Sequence, residues 1–252
     1  MTVLPGAEPY SHEGGPTGVL LCHGFTGSPQ SLRPWGEYLA SEGLTVSLPR
    51  LPGHGTTWQE MNRTRWEDWY AEVDRAFGEL RAATSEIFVM GMSMGACLAL
   101  RLAELNGAAV SGLVLVNPSI TADTKLFLLA PVLKVIIPSL KGIASDIKKE
   151  GSTELAYDRT PTRAAATLPG LWKVTQRDLN KIAAPTLAYH STNDHVVGPA
   201  SLEILRKALP ATRLEVIECP NSYHVATLDN DAEAIFAGSL EFVRSHSHAG
   251  KD

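Results

Sequence analysis

The sequence predicts an α/β protein built on a mostly parallel central sheet, and three observations lead there. Short apolar runs such as 18–22 and 110–116 have the character of strands buried on both faces. Stretches with apolar residues at helical spacing separate those runs. At 87–103 an apolar strand passes into a helix through Gly91-Met92-Ser93-Met94-Gly95. Regular alternation of strand and helix implies parallel strands with helices on both faces.

In chain order, residues up to about Pro16 are rich in Gly, Pro and Glu and are expected to form an arm or an irregular edge hairpin. Gly18 to Cys22 is the first buried strand. His23-Gly24-Phe25-Thr26-Gly27 is a turn, and Ser28-Pro29 reads as a helix start, with a cap followed by proline at the first position. Leu32, Trp35 and Leu39 recur at helical spacing, and Gly43 ends that helix. Leu44 to Leu48 is a second strand, leading to the loop Gly53-His54-Gly55. Thr64, with Glu67 three residues on, is expected to be a capping box. Behind it Trp66, Trp69, Tyr70, Val73, Phe77 and Leu80 line one helical face, an aromatic stripe that belongs to core. The strand and helix around Ser93 follow, then a strand from Val110 to Val116 ending at Asn117-Pro118.

Between about 119 and 176 the alternation breaks. The apolar stretch Leu126 to Leu140 is interrupted by Pro131, Lys134 and Pro138 and is too short to span a bilayer. The segment reads as a helical cap inserted over the carboxyl ends of the strands. Regularity resumes with a strand at Thr186–Tyr189, a helix from Pro199 to Leu209, a strand at Arg213–Glu218 and a closing helix from about Asp231 to Arg244. The whole of 1–252 is read as one domain carrying that insertion, with no repeat.

A chain of 252 residues of this class can bury roughly three quarters of its unfolded surface. A net charge of −5 provides no basic footprint for nucleic acid. Three cysteines, Cys22, Cys97 and Cys219, cannot all pair and sit in apolar neighbourhoods, as expected of reduced thiols in the cytoplasm. The first residues lack the basic and long apolar regions of a secretory signal, which agrees with a cytoplasmic location.

Gly91-Met92-Ser93-Met94-Gly95 fits G-x-S-x-G in its required setting of strand, sharp turn and helix. A serine at such a turn has a strained backbone, and Gly91 and Gly95 remove the side chains that would collide with it. The helix behind Ser93 points amides and a positive dipole end at any anion forming near its oxygen. A serine hydroxyl needs an imidazole as base and a carboxylate to orient the imidazole. Ligands bind beyond the carboxyl ends of parallel strands, where His23-Gly24-Phe25, Ser93, Asp194 and His224 all fall. His224 is the expected base and Asp194 the expected acid, with Asp229 the other candidate. His195 adjoins Asp194 too closely in sequence to be oriented by it. His23, His54 and His190 suit structural roles. The amides of Phe25 and Met94 are the expected oxyanion donors, leaving their side chains to line an acyl pocket.

Taken together, these residues resemble the α/β-hydrolase fold over nearly the whole chain. More closely, the chain is similar to bacterial monoacylglycerol lipases and the related small carboxylesterases. The likeness rests on His23-Gly24-Phe25-Thr26-Gly27, Arg50-Leu51-Pro52-Gly53-His54-Gly55, Gly91-Met92-Ser93-Met94-Gly95, Asp194-His195-Val196-Val197 and Asn221-Ser222-Tyr223-His224-Val225-Ala226-Thr227-Leu228-Asp229. The resemblance implies a triad of Ser93, Asp194 and His224, an oxyanion hole of the Phe25 and Met94 amides, and a cap over an acyl tunnel. It also implies that Glu154, in Glu-Leu-Ala-Tyr, holds the glycerol hydroxyls and that Ile143 borders the alcohol site. Ala96 departs from the family, where a second glycine often follows the motif; no loss of chemistry is expected from it. The function so implied is hydrolysis of monoacylglycerols to glycerol and fatty acid, with no metal and no cofactor. Hydrolysis of other short or medium esters is an alternative, and a non-catalytic binding protein of the same fold is another. The expected partner is a small lipid ester. The apolar cap leaves contact with lipid surfaces and a monomer or homodimer open.

Overall fold

The computed structural model describes residues 2–122, 137–142 and 145–248. Among them the strands, in chain order, are β1 (Tyr10–His12), β2 (Thr17–Cys22), β3 (Thr45–Leu48), β4 (Glu86–Met92), β5 (Gly112–Val116), β6 (Ser139–Lys141), β7 (Arg159–Pro161), β8 (Thr186–Ser191) and β9 (Leu214–Cys219). The helices are α1 (Arg33–Ser41), α2 (Trp58–Met61), α3 (Trp66–Ala83), α4 (Met94–Asn106), α5 (Thr162–Ala165), α6 (Leu168–Asp178), α7 (Ala200–Ala208) and α8 (Ala232–His246). Seven strands form one sheet in the order β1-β3-β2-β4-β5-β8-β9. Only β1 runs antiparallel to its neighbour. This is the α/β-hydrolase fold.

Alternation within the apolar strands explains why helices cover both faces. Leu20 and Cys22 of β2, Val89 of β4, and Leu113 and Leu115 of β5 join one core with Trp69, Phe77 and much of α4. Val19 and Leu21, Phe88 and Met90, and Val114 and Val116 join the opposite core with Trp35, Leu39, Phe236 and Leu240. Each fully buried side chain of this size contributes about 1.5–3 kcal/mol. The central strand β4 and helix α4 are buried almost throughout, which makes the junction at Ser93 rigid.

Two local expectations are corrected. Helix α3 starts at Trp66, and its opening bond runs from the Arg65 amide to the Asp68 carboxylate at 2.9 Å. Thr64 instead donates to the Met61 carbonyl at 2.8 Å and accepts from the Trp69 indole at 2.9 Å. Ser28 precedes a short 3-10 turn at Pro29–Ser31, but its hydroxyl donates to the Leu155 carbonyl at 3.0 Å and does not cap. At Thr64 other neighbours within the same turn take the hydroxyl, and at Ser28 a partner 127 residues away does.

The segment expected to be a helical cap also contains strand. β6 and β7 pair antiparallel as a separate two-stranded sheet, followed by α5 and α6. Hydrogen bonds tie this segment to the sheet-end loops: the Tyr157 hydroxyl donates to the Gly53 carbonyl at 2.7 Å and accepts from the Thr56 amide at 2.8 Å. Ile143 lies outside the described residues. No helix among the described residues is long and apolar enough to cross a membrane.

Candidate active site

Ser93 stands between β4 and α4 with φ 56° and ψ −122°, a backbone conformation costly for a residue with a Cβ. The flanking glycines permit the turn for a reason different from the expected one. A methyl on Gly91 would lie 2.5 Å from the carbonyl of Gly95, and one on Gly95 would lie 1.9 Å from the carbonyl oxygen of Cys22. Neither collision involves the serine; both would drive α4 off β4 and β2. The Ser93 amide donates to the Val116 carbonyl at 2.9 Å, which fastens the turn to β5.

The loop after β8 carries Asp194 and the loop after β9 carries His224. Oδ2 of Asp194 lies 2.7 Å from Nδ1 of His224, and both side chains are almost fully buried. Oδ1 of Asp194 accepts the amides of Val196 and Val197, each at 2.8 Å. Burial alone would raise the Asp194 pKa; the His224 hydrogen bond and charge and these two amides overcome it, so the carboxyl sits below its ordinary range. Ser93 and His224 line the same cavity, of about 410 Å³. Among its walls are Phe25, Met94, Leu140, Leu168, Trp172 and Val197. The size suits a small-molecule site, commonly about 300–1,000 Å³.

The turn after β2 borders Ser93: a methyl on Gly24 would touch the serine Cβ at 3.5 Å. No acceptor for the amides of Phe25 or Met94 occurs among the described residues. Met94 opens α4, so its amide is one that the helix itself leaves unpaired. Beneath this turn His23 and His54 meet edge to face, with ring centroids 5.0 Å apart. Burial lowers the His23 pKa to about 4 and that of His54 well below its ordinary value. Nδ1 of His23 faces the Gly24 carbonyl at 3.1 Å and Nε2 accepts the Leu51 amide at 3.2 Å, so the neutral ring braces the turn.

Glu154 faces the cavity from the inserted segment, and its Oε1 would lie 2.8 Å from a methyl on Gly27. Although the residue as a whole is only partly covered, burial of the carboxyl raises its pKa to about 7, with a smaller opposing contribution from the charge of His224. Asp229 does not approach the His224 ring; its oxygens accept the amides of Lys148, Lys149, Tyr223 and Asn230 at 2.7 to 2.9 Å. His195 pairs through Nδ1 with Asp146 at 2.8 Å.

Two residues bearing on this site were not anticipated. Asn117, at φ 45°, donates from Nδ2 to the His224 carbonyl at 2.8 Å and accepts the Ser191 amide at 2.7 Å. Asp146 accepts the His224 amide at 3.1 Å. A buried amide side chain at a strand's carboxyl end was a usable signal for Asn117; nothing local marked Asp146. Among the described residues no cluster of His, Cys, Asp or Glu has the makings of a metal site.

Fold and site together define a hydrolase of the α/β-hydrolase fold. The chain belongs to the family described as serine aminopeptidase, S33, whose model matches residues 17–231. It is similar to a thermostable monoacylglycerol lipase of Bacillus sp. (strain H-257), 43% identical over 246 residues, covering 97% of each chain. It is also similar to a carboxylesterase of Bacillus subtilis (strain 168), 26% identical, covering 94% of this chain and 96% of the relative. Among solved structures, one from a study of the metagenome-derived lipolytic enzymes LipS and LipT matches at 40% identity with a TM-score of 0.94. It covers 97% of this chain and 100% of the other. The monoacylglycerol lipase of Paleococcus ferrophilus matches in fold, at 22% identity and a TM-score of 0.78, over 95% of this chain and 100% of its own.

Proposed function

We propose that the protein hydrolyses monoacylglycerols to glycerol and a free fatty acid through an acyl-enzyme on Ser93. The observation that carries this reading is a serine on a strained strand-to-helix turn sharing one apolar cavity with an imidazole held at 2.7 Å by a buried carboxylate. His224 takes the Ser93 proton as the oxygen attacks the ester carbonyl, and Asp194 holds the imidazole in the tautomer that leaves Nε2 free to accept it. Negative charge on the tetrahedral oxygen is met by the amides of Phe25 and Met94, each such donor contributing about 2.7–4 kcal/mol. The imidazolium then protonates the departing glycerol oxygen. Water activated by His224 releases the fatty acid and restores Ser93.

The 43% identical monoacylglycerol lipase supports the choice of substrate, as does a mostly apolar cavity bordered by the carboxyl groups of Glu154 and Asp146. Glu154 is assigned to the glycerol hydroxyls, and Ile143, in the same inserted segment, to the border of the alcohol site. Residues 119–176 act as the cap over the acyl site of a single domain. The three buried, unpaired thiols support a reducing compartment such as the cytoplasm.

A second reading, a carboxylesterase for other short or medium esters, has the support of the 26% identical relative. A panel of mono-, di- and triacylglycerols, simple alkyl esters and aminoacyl anilides separates these readings. Monoacylglycerols are expected to show the highest kcat/KM. A preference for acetate esters or for aminoacyl anilides would overturn the assignment.

A further inference from the structure

The main chain of His224 is held from both sides by side chains that belong to neither its own loop nor β9. Its carbonyl accepts from Asn117 Nδ2 at 2.8 Å, beyond the end of β5. Its amide donates to Asp146 Oδ2 at 3.1 Å, in the inserted segment. The same carboxylate accepts from the backbone of His195 at 3.3 Å and from its ring at 2.8 Å, one residue from Asp194. Asp146 therefore touches the loop of the base and the loop of the acid together.

A reciprocal contact secures the arrangement. The His224 loop returns a carboxylate of its own, Asp229, to the amides of Lys148 and Lys149 at 2.7 and 2.9 Å. The next amide, of Val225, donates to the Asp146 carbonyl at 3.1 Å. Each segment thus places an aspartate on the other's backbone. Asp229 divides its bonds between the Tyr223 and Asn230 amides of its own loop and the two lysine amides, whereas Asp146 reaches the amide of His224 itself.

We infer that Asp146 is a positioning residue for His224: from the inserted segment its carboxylate holds the histidine's amide and sets, with Asn117, where the imidazole stands over Ser93. The inference rests on the reading of His224 as the base. Asp146 does not meet the reacting atoms; it acts through the histidine's main chain and through the spacing of the Asp194 and His224 loops. A misplacement of about 1 Å at such a site costs on the order of 100-fold in rate. The inserted segment then has two tasks, walling the cavity through Ser145 and Asp146 and aligning the base.

The test compares kcat and KM for one monoacylglycerol, and the rate of labelling by a fluorophosphonate, in wild type, Asp146→Ala, Asp146→Asn and His224→Ala, with thermal denaturation of each. Asp146→Ala is expected to lower kcat and the labelling rate together, roughly 10–100-fold, with KM within about twofold. Asp146→Asn keeps one acceptor oxygen and is expected to recover most of that loss. A folded Asp146→Ala with wild-type kcat, or a rise in KM at unchanged kcat, overturns the inference. So does an Asp146→Asn variant as slow as the alanine. If the alanine variant does not fold, amide exchange at His224 decides: protection in both wild type and Asp146→Asn is expected, and an unprotected amide in wild type overturns the proposal. His224→Ala separates the two assignments, because hydrolysis surviving in that variant defeats the reading of the base itself.

Discussion

Nδ1 of His224 and Oδ2 of Asp194 lie 2.7 Å apart, and the other oxygen of Asp194 is fully engaged by the amides of Val196 and Val197. The carboxylate is thus fixed before it meets the ring. Its depressed pKa means that it stays charged as pH falls through the range where ordinary carboxyls protonate. Asp194→Asn preserves shape but favours the wrong imidazole tautomer. It is expected to lower kcat by roughly 10⁴-fold, with KM little changed, in steady-state hydrolysis of a monoacylglycerol.

Glu154 leads to a pH-dependent prediction. Its pKa of about 7, raised by burial, makes it a neutral acid below that pH and a carboxylate above it. A carboxylate accepts hydrogen bonds from glycerol hydroxyls more strongly than a neutral acid does. The ratio of kcat/KM for a monoacylglycerol to that for the methyl ester of the same acid is expected to rise from pH 6 to pH 8. Glu154→Gln should flatten that rise.

The same group bears on stability. A carboxyl whose folded pKa is raised from 4.5 to about 7 favours the folded state at low pH and loses that advantage as pH rises through this interval. Glu154→Gln is therefore expected to raise the melting temperature at pH 8 and to matter less at pH 4.5. The gain has an upper bound of about 3 kcal/mol, reduced by the partial exposure of the residue.

Two glycines should respond to alanine in opposite directions. A methyl at Gly95 would stand 1.9 Å from the Cys22 carbonyl oxygen, against backbone that has nowhere to move. Gly95→Ala is expected to cost more than the roughly 1–3 kcal/mol usual for overpacking and to abolish activity with it. Gly78, inside α3, has no atom within 4 Å of such a methyl. Gly78→Ala should stabilise by about 0.5–1 kcal/mol, read as a higher melting temperature at unchanged kcat.

An apolar cavity walled by Leu140, Leu168 and Trp172 should also discriminate by acyl length. Each buried methylene contributes about 0.8 kcal/mol, so kcat/KM is expected to climb with chain length until the cavity is full, then fall. A flat profile from acetyl to long-chain monoacylglycerols would contradict an acyl pocket of fixed depth.

Much of this architecture was legible in the sequence. β2, β4 and β5 are continuous apolar runs because both faces are covered, and Gly91-Met92-Ser93-Met94-Gly95 joins strand to helix in a way few sequences can. Order along the chain also singled out Asp194 and His224. What stayed hidden turns on a choice among close neighbours in one case and on partners distant in sequence in the others. Thr64 looked like a cap because Glu67 follows it, yet the Trp69 indole and the Asp68 carboxylate decide that helix start. β6 and β7 are three residues each and pair across an intervening loop, too short for any period to register. Asp146 stands two residues before Lys148-Lys149 and resembles a solvated charge; only the arrival of the His195 and His224 loops, 49 and 78 residues on, gives its carboxylate amides to hold.

The most direct test of the central claim is covalent labelling of Ser93 by a fluorophosphonate, followed by intact mass and peptide mapping in wild type, Ser93→Ala and His224→Ala. A single adduct on Ser93 is expected, absent from Ser93→Ala and formed at least about 10³-fold more slowly in His224→Ala, in step with loss of monoacylglycerol hydrolysis. Full hydrolysis by a folded Ser93→Ala protein, or labelling at wild-type rate without the imidazole, would contradict it.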